Sequence, residues 1–200
     1  MVIYNSQAIF LLAVLSVLAM PGPTNSLLLV SGATRGFRAS VHLILAELGA
    51  YIVSISLLVF VVEPAARAHS TIGQVLRVFC SIYLAQMAVW LWRSGEQEAA
   101  PASHPITFRR VFLTTLVNPK NLLFAFGIFP LPSEESNAMF PSLVSFSGIC
   151  TGAASGWIAA GALLHSTGAH KPHLNWFYRG EAFLLVGFAI VILVSAYYSS

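Results

Sequence analysis

Met20-Pro21-Gly22-Pro23-Thr24-Asn25-Ser26 interrupts an apolar run that starts near residue 4 and resumes at Leu27. Each proline lacks an amide hydrogen and collides with the preceding helical turn, so carbonyls near residues 17–19 lose their helical partners. In hydrocarbon such groups survive only where they line a cavity or are bonded again, and Thr24, Asn25 and Ser26 supply side chains for that purpose. Two readings follow: a broken membrane helix beside a substrate path, or a kink that serves packing alone. Both put the stretch in a membrane, and the composition agrees. Hydrophobic residues make up 57% of the 200-residue chain and charged ones 8%, against roughly 25% charged in a soluble domain. The net charge is +3, but the basic residues stand singly between apolar runs and form no patch, so nucleic acid is not an expected partner.

Working outward, the chain offers a stretch of about 20 apolar residues, enough for a hydrocarbon core of about 30 Å, six times. The expected spans are 4–31, 41–62, 72–92, 111–131, 141–164 and 177–198. Ile9 to Met20 resembles the apolar part of a signal peptide, but no Lys or Arg precedes it, so it is expected to be a retained first span. Arg35 and Arg38, then Arg93, Arg109 and Arg110, then Lys171 and Arg179 fall in alternate connections; positive connections stay cytoplasmic, so both termini are expected on the opposite side. Residues 93–108 are polar and proline-containing, a linker between halves of about 1–92 and 109–200. Three spans per half gives opposite insertion, hence two inverted repeats within a single transmembrane transporter domain covering 1–200.

A second break, Asn118-Pro119-Lys120-Asn121, lies early in the fourth span. Counted from residue 111, Lys120 is about 13 Å deep, the limit of what its side chain can snorkel. It either faces a wet interior path or reaches back to the headgroups. Glu47 is the acid well inside a span, with Tyr51 one turn further along the same face. A carboxylate in that position is a candidate for proton or cation coupling, because its charge is costly to bury; the alternative is a structural ion pair, for which Lys120 is the obvious partner.

Gly148, Gly152 and Gly156, continued by Ala160, recur at every fourth residue and give a smooth helix-packing face towards this chain or another copy, so a homo-oligomer is possible. Cys80 and Cys150 form no CxxC pair and read as small apolar residues. His42 sits at the membrane surface, and His165, His170 and His173 read as a solvated basic connection rather than a metal site. GxSxG, HExxH and phosphate-loop motifs are absent, so no enzyme, cofactor or metal is expected.

Taken together, the two breaks resemble the lysine exporter (LysE) and homoserine/threonine exporter (RhtB) family of small bacterial membrane proteins. Pro21-Gly22-Pro23 with Asn25 is similar to that family's first-span signature, and Ser31-Gly32-Ala33-Thr34-Arg35-Gly36-Phe37-Arg38 to the turn that follows. Asn118-Pro119-Lys120, then Leu122, Leu123, Phe124 and Phe129-Pro130, is similar to its fourth-span signature. The chain departs from the pattern at Glu47, where a small or apolar residue is usual, and at Leu131, where Gln is frequent. The resemblance implies proton-driven efflux of amino acids or similar small metabolites across the cytoplasmic (inner) membrane.

The expectation is thus an all-α integral membrane protein of six transmembrane helices. Pro21, Gly22, Pro23, Thr24, Asn25, Asn118, Pro119, Lys120 and Asn121 would form the substrate path, with Glu47 and Tyr51 coupling a cation or proton. Its partners would be a small-molecule substrate and the lipid bilayer. The rival readings are a membrane assembly or scaffold subunit, a channel, and a membrane enzyme.

Overall fold

The computed structural model describes residues 2–68, 70–94, 106–129, 139–167 and 175–198. The linker residues 95–105, His170, Lys171, His173, Pro130 and Leu131 lie outside them. Among the described residues every element is helical. In chain order these are α1 (Val2–Ala19), α2 (Pro23–Ser40), α3 (Leu43–Leu57) with a π-helical turn at Leu58–Val62, α4 (Glu63–Ala68), α5 (Ser70–Ser94), α6 (Phe108–Leu116), α7 (Lys120–Leu123) with a second π-helical turn at Phe124–Ile128, α8 (Met139–Thr167) and α9 (Asn175–Tyr198).

Among the described residues three stretches are long and apolar enough to cross a membrane unaided: Leu43–Ala65, Gly73–Arg93 and Met139–Leu164. Two bent pairs raise the number to five. Gln7–Ala19 meets Pro23–Ser40 at 61°, and Phe108–Leu116 meets Lys120–Ile128 at 51°. These bends fall at the two proline breaks. In α9 the apolar stretch Ala182–Val194 is shorter than a full span. Leu45, Phe79, Phe140, Leu163 and Phe183 are exposed on helix exteriors, as lipid-facing positions are when no water has to be met.

The first connection differs from expectation. Residues 32–40, read as a turn after span one, are helical, and the backbone departs from the helix only at Gly36, with φ 76° and ψ 171°. A side chain would be strained there, so glycine sets the place of the bend. Ser40 Oγ donates to Gly36 O at 2.8 Å and shares a 2.8 Å hydrogen bond with Ser31 Oγ, which ties the two sides of the bend together.

The described chain forms two compact units, Met1–Ile55 with Ala102–Pro172, and Ser56–Pro101 with His173–Ser200. In the first, α2 packs most extensively on α8. A Cβ added to Gly32 would collide with the backbone of Ile158 and press on Ala162 N, and one added to Gly161 would collide with Leu29 O and press on Ala33 N. The two helices therefore cross backbone to backbone at this glycine pair, as small residues allow in a membrane. Among the described residues nothing lies within 4 Å of a Cβ built on Gly148, Gly152 or Gly156. Buried Leu28, Ile44, Val111 and Ile158 fill the same core. In the second unit α5 packs on α9; Trp92 meets Phe183 edge-on at 5.4 Å, and the Arg179 guanidinium lies 5.0 Å from the Trp92 ring centre.

Candidate functional site

The site grows from what the two breaks do to the backbone. At the first, Gly22 is fully extended and Pro23 occupies the opening turn of α2, where its missing N–H costs nothing. Two carbonyls before the break need donors, and Asn25 Nδ2 serves both, Leu18 O at 2.8 Å and Met20 O at 2.6 Å. At the second break α6 ends at Leu116, with Val117 outside helical geometry. Asn121 Nδ2 donates to Thr115 O at 2.7 Å and to Leu116 O at 3.0 Å. Asn118 Oδ1 accepts from Lys120 N at 3.0 Å, so its side chain turns the chain into α7.

The breaks then bond to each other. Asn118 Nδ2 donates to Thr24 Oγ1 at 3.2 Å, Thr24 and Thr115 share a hydroxyl hydrogen bond at 3.1 Å, and Lys120 Nζ donates to Met20 O at 2.6 Å. Thr115 Oγ1 also contacts Val111 O at 2.9 Å. Lys120 is only 3% exposed, and its ammonium turns onto the freed carbonyl of Met20. Pro21 and Pro23 are half-buried, and Gly22, Thr24, Asn25, Asn118, Pro119 and Asn121 are buried. All of the path residues named from the sequence thus lie in or beside one polar layer inside the first unit.

Glu47 on α3 joins that layer from a third helix. It is 1% exposed, the Lys120 charge acts on it, and its Oε2 has no hydrogen-bond partner among the described residues. Asn121 Oδ1 is a second buried acceptor without a partner among the described residues. Its orientation is fixed, because the other end of the amide is committed to two carbonyls.

One turn along α3 from Glu47 is Tyr51, and one turn from Lys120 is Phe124. Those two rings meet edge-on at 5.5 Å. Phe146 of α8 packs against both, at 5.5 Å and 5.0 Å, and Phe129 and Phe10 extend the cluster. The charged layer is therefore backed by a layer of rings on the same helices. Phe124 opens the π-helical turn, closed by Phe129 N to Phe124 O at 2.8 Å. Tyr51 sits among these rings, fully buried.

Thr115 and Phe146 are parts of the site that reading the sequence missed, while Phe124 and Phe129 were named there only as part of the fourth-span resemblance and not as site residues. Thr115 had a signal, since a threonine three residues before Asn118 stands one turn from it. Phe146 had none, because Phe is common throughout such a chain. Among the described residues, no group of three or more His, Cys, Asp or Glu is placed to hold a metal ion.

The buried lysine, the two rejoined breaks and the intramembrane carboxylate suit the handling of a small polar molecule within a membrane. Neither a curated protein nor a solved structure matches the chain. The family model of the LysE type translocator matches residues 15–196, a stretch that includes both breaks, Glu47, Tyr51, Phe124 and Phe146. The chain accordingly belongs to the LysE type translocator family, as a multi-pass membrane protein of a family that transports amino acids or similar small molecules.

Proposed function

We propose that the protein is a secondary exporter, which carries amino acids or related small metabolites out across the cytoplasmic membrane in exchange for protons. In this reading α9 completes a sixth span, residues 1–92 and 109–200 form inverted halves, and both termini face away from the cytoplasm. The halves rock about the polar layer. Asn25, Asn118 and neighbouring backbone groups hold the substrate's polar ends, Lys120 attracts its carboxylate, and Glu47 exchanges the proton or receives the amine, with Tyr51 beside it.

The observation that carries this reading is the hydrogen bond from Lys120 Nζ to Met20 O. It joins a cation on one break to a carbonyl freed by the other, so a ligand that draws Lys120 away also unties the two breaks. Binding is thereby coupled to helix movement through a contact with two arrangements. Efflux from cells preloaded with labelled amino acids tests it. Wild type should release at least one compound faster than empty cells, and Lys120→Ala at matched membrane abundance should lose about tenfold or more of that rate, the equivalent of about 1.4 kcal/mol. Equal efflux by wild type and Lys120→Ala would refute the assigned role. A cytoplasm-only reporter active at either terminus would refute the orientation.

A further inference from the structure

We infer that the buried layer selects a substrate with one ammonium group and no net charge, a monoamino monocarboxylic acid, and rejects dibasic amino acids. The inference rests on the exporter reading above and adds the charge class of the cargo.

Hydrogen-bond accounting supplies the first step. The two orphaned side-chain atoms of the layer, Glu47 Oε2 and Asn121 Oδ1, are both acceptors and both buried. A buried acceptor without a donor costs about 1–3 kcal/mol, more when it is charged, so the layer is poised for a ligand that brings donors. A primary ammonium brings three N–H donors and a positive charge, which suits a carboxylate and an amide oxygen together.

Charge accounting supplies the second. Among the described residues the buried charged groups are Glu47, Lys120 and Glu63, and Glu63 belongs to the other unit. The layer therefore holds one charge of each sign. A ligand with one ammonium and one carboxylate leaves it balanced, whereas a second ammonium would be buried without a counter-charge, at a cost of several kcal/mol. The surroundings give no relief. One turn beyond both charged residues stand Tyr51 and Phe124, closed by Phe146. Ring faces attract cations, but these rings, which meet one another edge to face at interplanar angles of 79–84°, carry no net charge and supply no counter-charge for a second ammonium.

Counterflow into proteoliposomes holding the full chain tests the inference without any need to know the coupling ion. The panel is alanine, leucine and phenylalanine, lysine and arginine, glutamate, and the hydroxy acid that matches leucine but lacks its amine. The neutral amino acids should exchange about tenfold or more faster than lysine, arginine, glutamate and the hydroxy acid, a gap of about 1.4 kcal/mol. Glu47→Gln should narrow the preference for leucine over its hydroxy acid by a similar factor. Lysine or arginine exchanging as fast as the neutral compounds would overturn the inference and leave the transporter standing. An unchanged leucine preference in folded Glu47→Gln would overturn the assignment of the ammonium to Glu47. If no compound exchanges, the amino-acid reading fails and the inference fails with it. Should Glu47→Gln not fold, the wild-type panel decides alone.

Discussion

The two breaks are built on the same three-residue plan, Pro23-Thr24-Asn25 and Pro119-Lys120-Asn121. In each, the asparagine two residues after a proline reaches back over the break and donates to two carbonyls, Leu18 O and Met20 O in one and Thr115 O and Leu116 O in the other. The middle residue differs. The first break has a threonine, the second a lysine whose ammonium crosses to the first. Asn118 likewise sends its amide to Thr24. The second break thus supplies donors to the first, and the charge stands on one side only. One backbone solution, used twice, makes two bends of 61° and 51°; a single lysine makes them unequal.

The largest effect should come from erasing that inequality. Lys120→Met leaves Glu47 buried beside no cation, a loss of about 3–5 kcal/mol in folding stability. Adding Glu47→Gln should recover a large part of it. Thermal unfolding of the purified protein in detergent reads both, and a double variant no better than Lys120→Met would break the link between the two residues. Next come the asparagines. Asn121→Ala and Asn25→Ala each strip a donor from two carbonyls, at about 2 kcal/mol. Asn25→Ala should be the worse of the two, because Thr115 O keeps Asn118 N at 3.0 Å and Leu116 O keeps Ser54 Oγ at 3.4 Å, whereas Met20 O keeps Lys120 Nζ at 2.6 Å but Leu18 O keeps no other donor among the described residues. The reverse order of melting temperatures would show that Leu18 O finds another donor once Asn25 is lost. Smallest is Thr24→Val. It removes the hydroxyl that Asn118 and Thr115 share, for about 1 kcal/mol, and a cycle with Thr115→Val should show the two changes to be less than additive.

A control away from the breaks is Gly161→Val. Its side chain has no room against the backbone of Leu29, so it should cost at least the 1–3 kcal/mol or so of an overpacked core, whereas Gly152→Val, in open space, should leave membrane abundance unchanged.

Proline and asparagine made the breaks legible, since few residues state their backbone consequences so plainly. The helix crossing was not. A four-residue period picks out a face at Gly148, Gly152 and Gly156, but Gly161 stands one residue out of that register, about 100° around the helix, and its partner Gly32 lies in a segment that reads as a turn. Arg35 and Arg38 gave that segment the look of a loop; α2 continues through it until Gly36. The π-helical turns left no trace in the sequence either, because Leu58–Val62 and Phe124–Ile128 have ordinary apolar composition. The Pro-x-Asn repetition was present all along. It becomes visible as a repeat only once both amides are seen to do the same work.

The first unit draws on Met1–Ile55 and on Ala102–Pro172, with Ser56–Pro101 between them in the chain. Ribosomal synthesis delivers these pieces in sequence, at about 5–20 residues per second. α1 and α2 thus enter the bilayer seconds before Asn118 and Lys120 exist. During that interval the first bend has Asn25 as its donor, and Gly32 has no Ile158 to meet. Closure of the unit awaits α8, which makes its assembly a late, long-range event and places the nascent chain, with Met20 O still without its lysine, in the care of the insertion machinery until then.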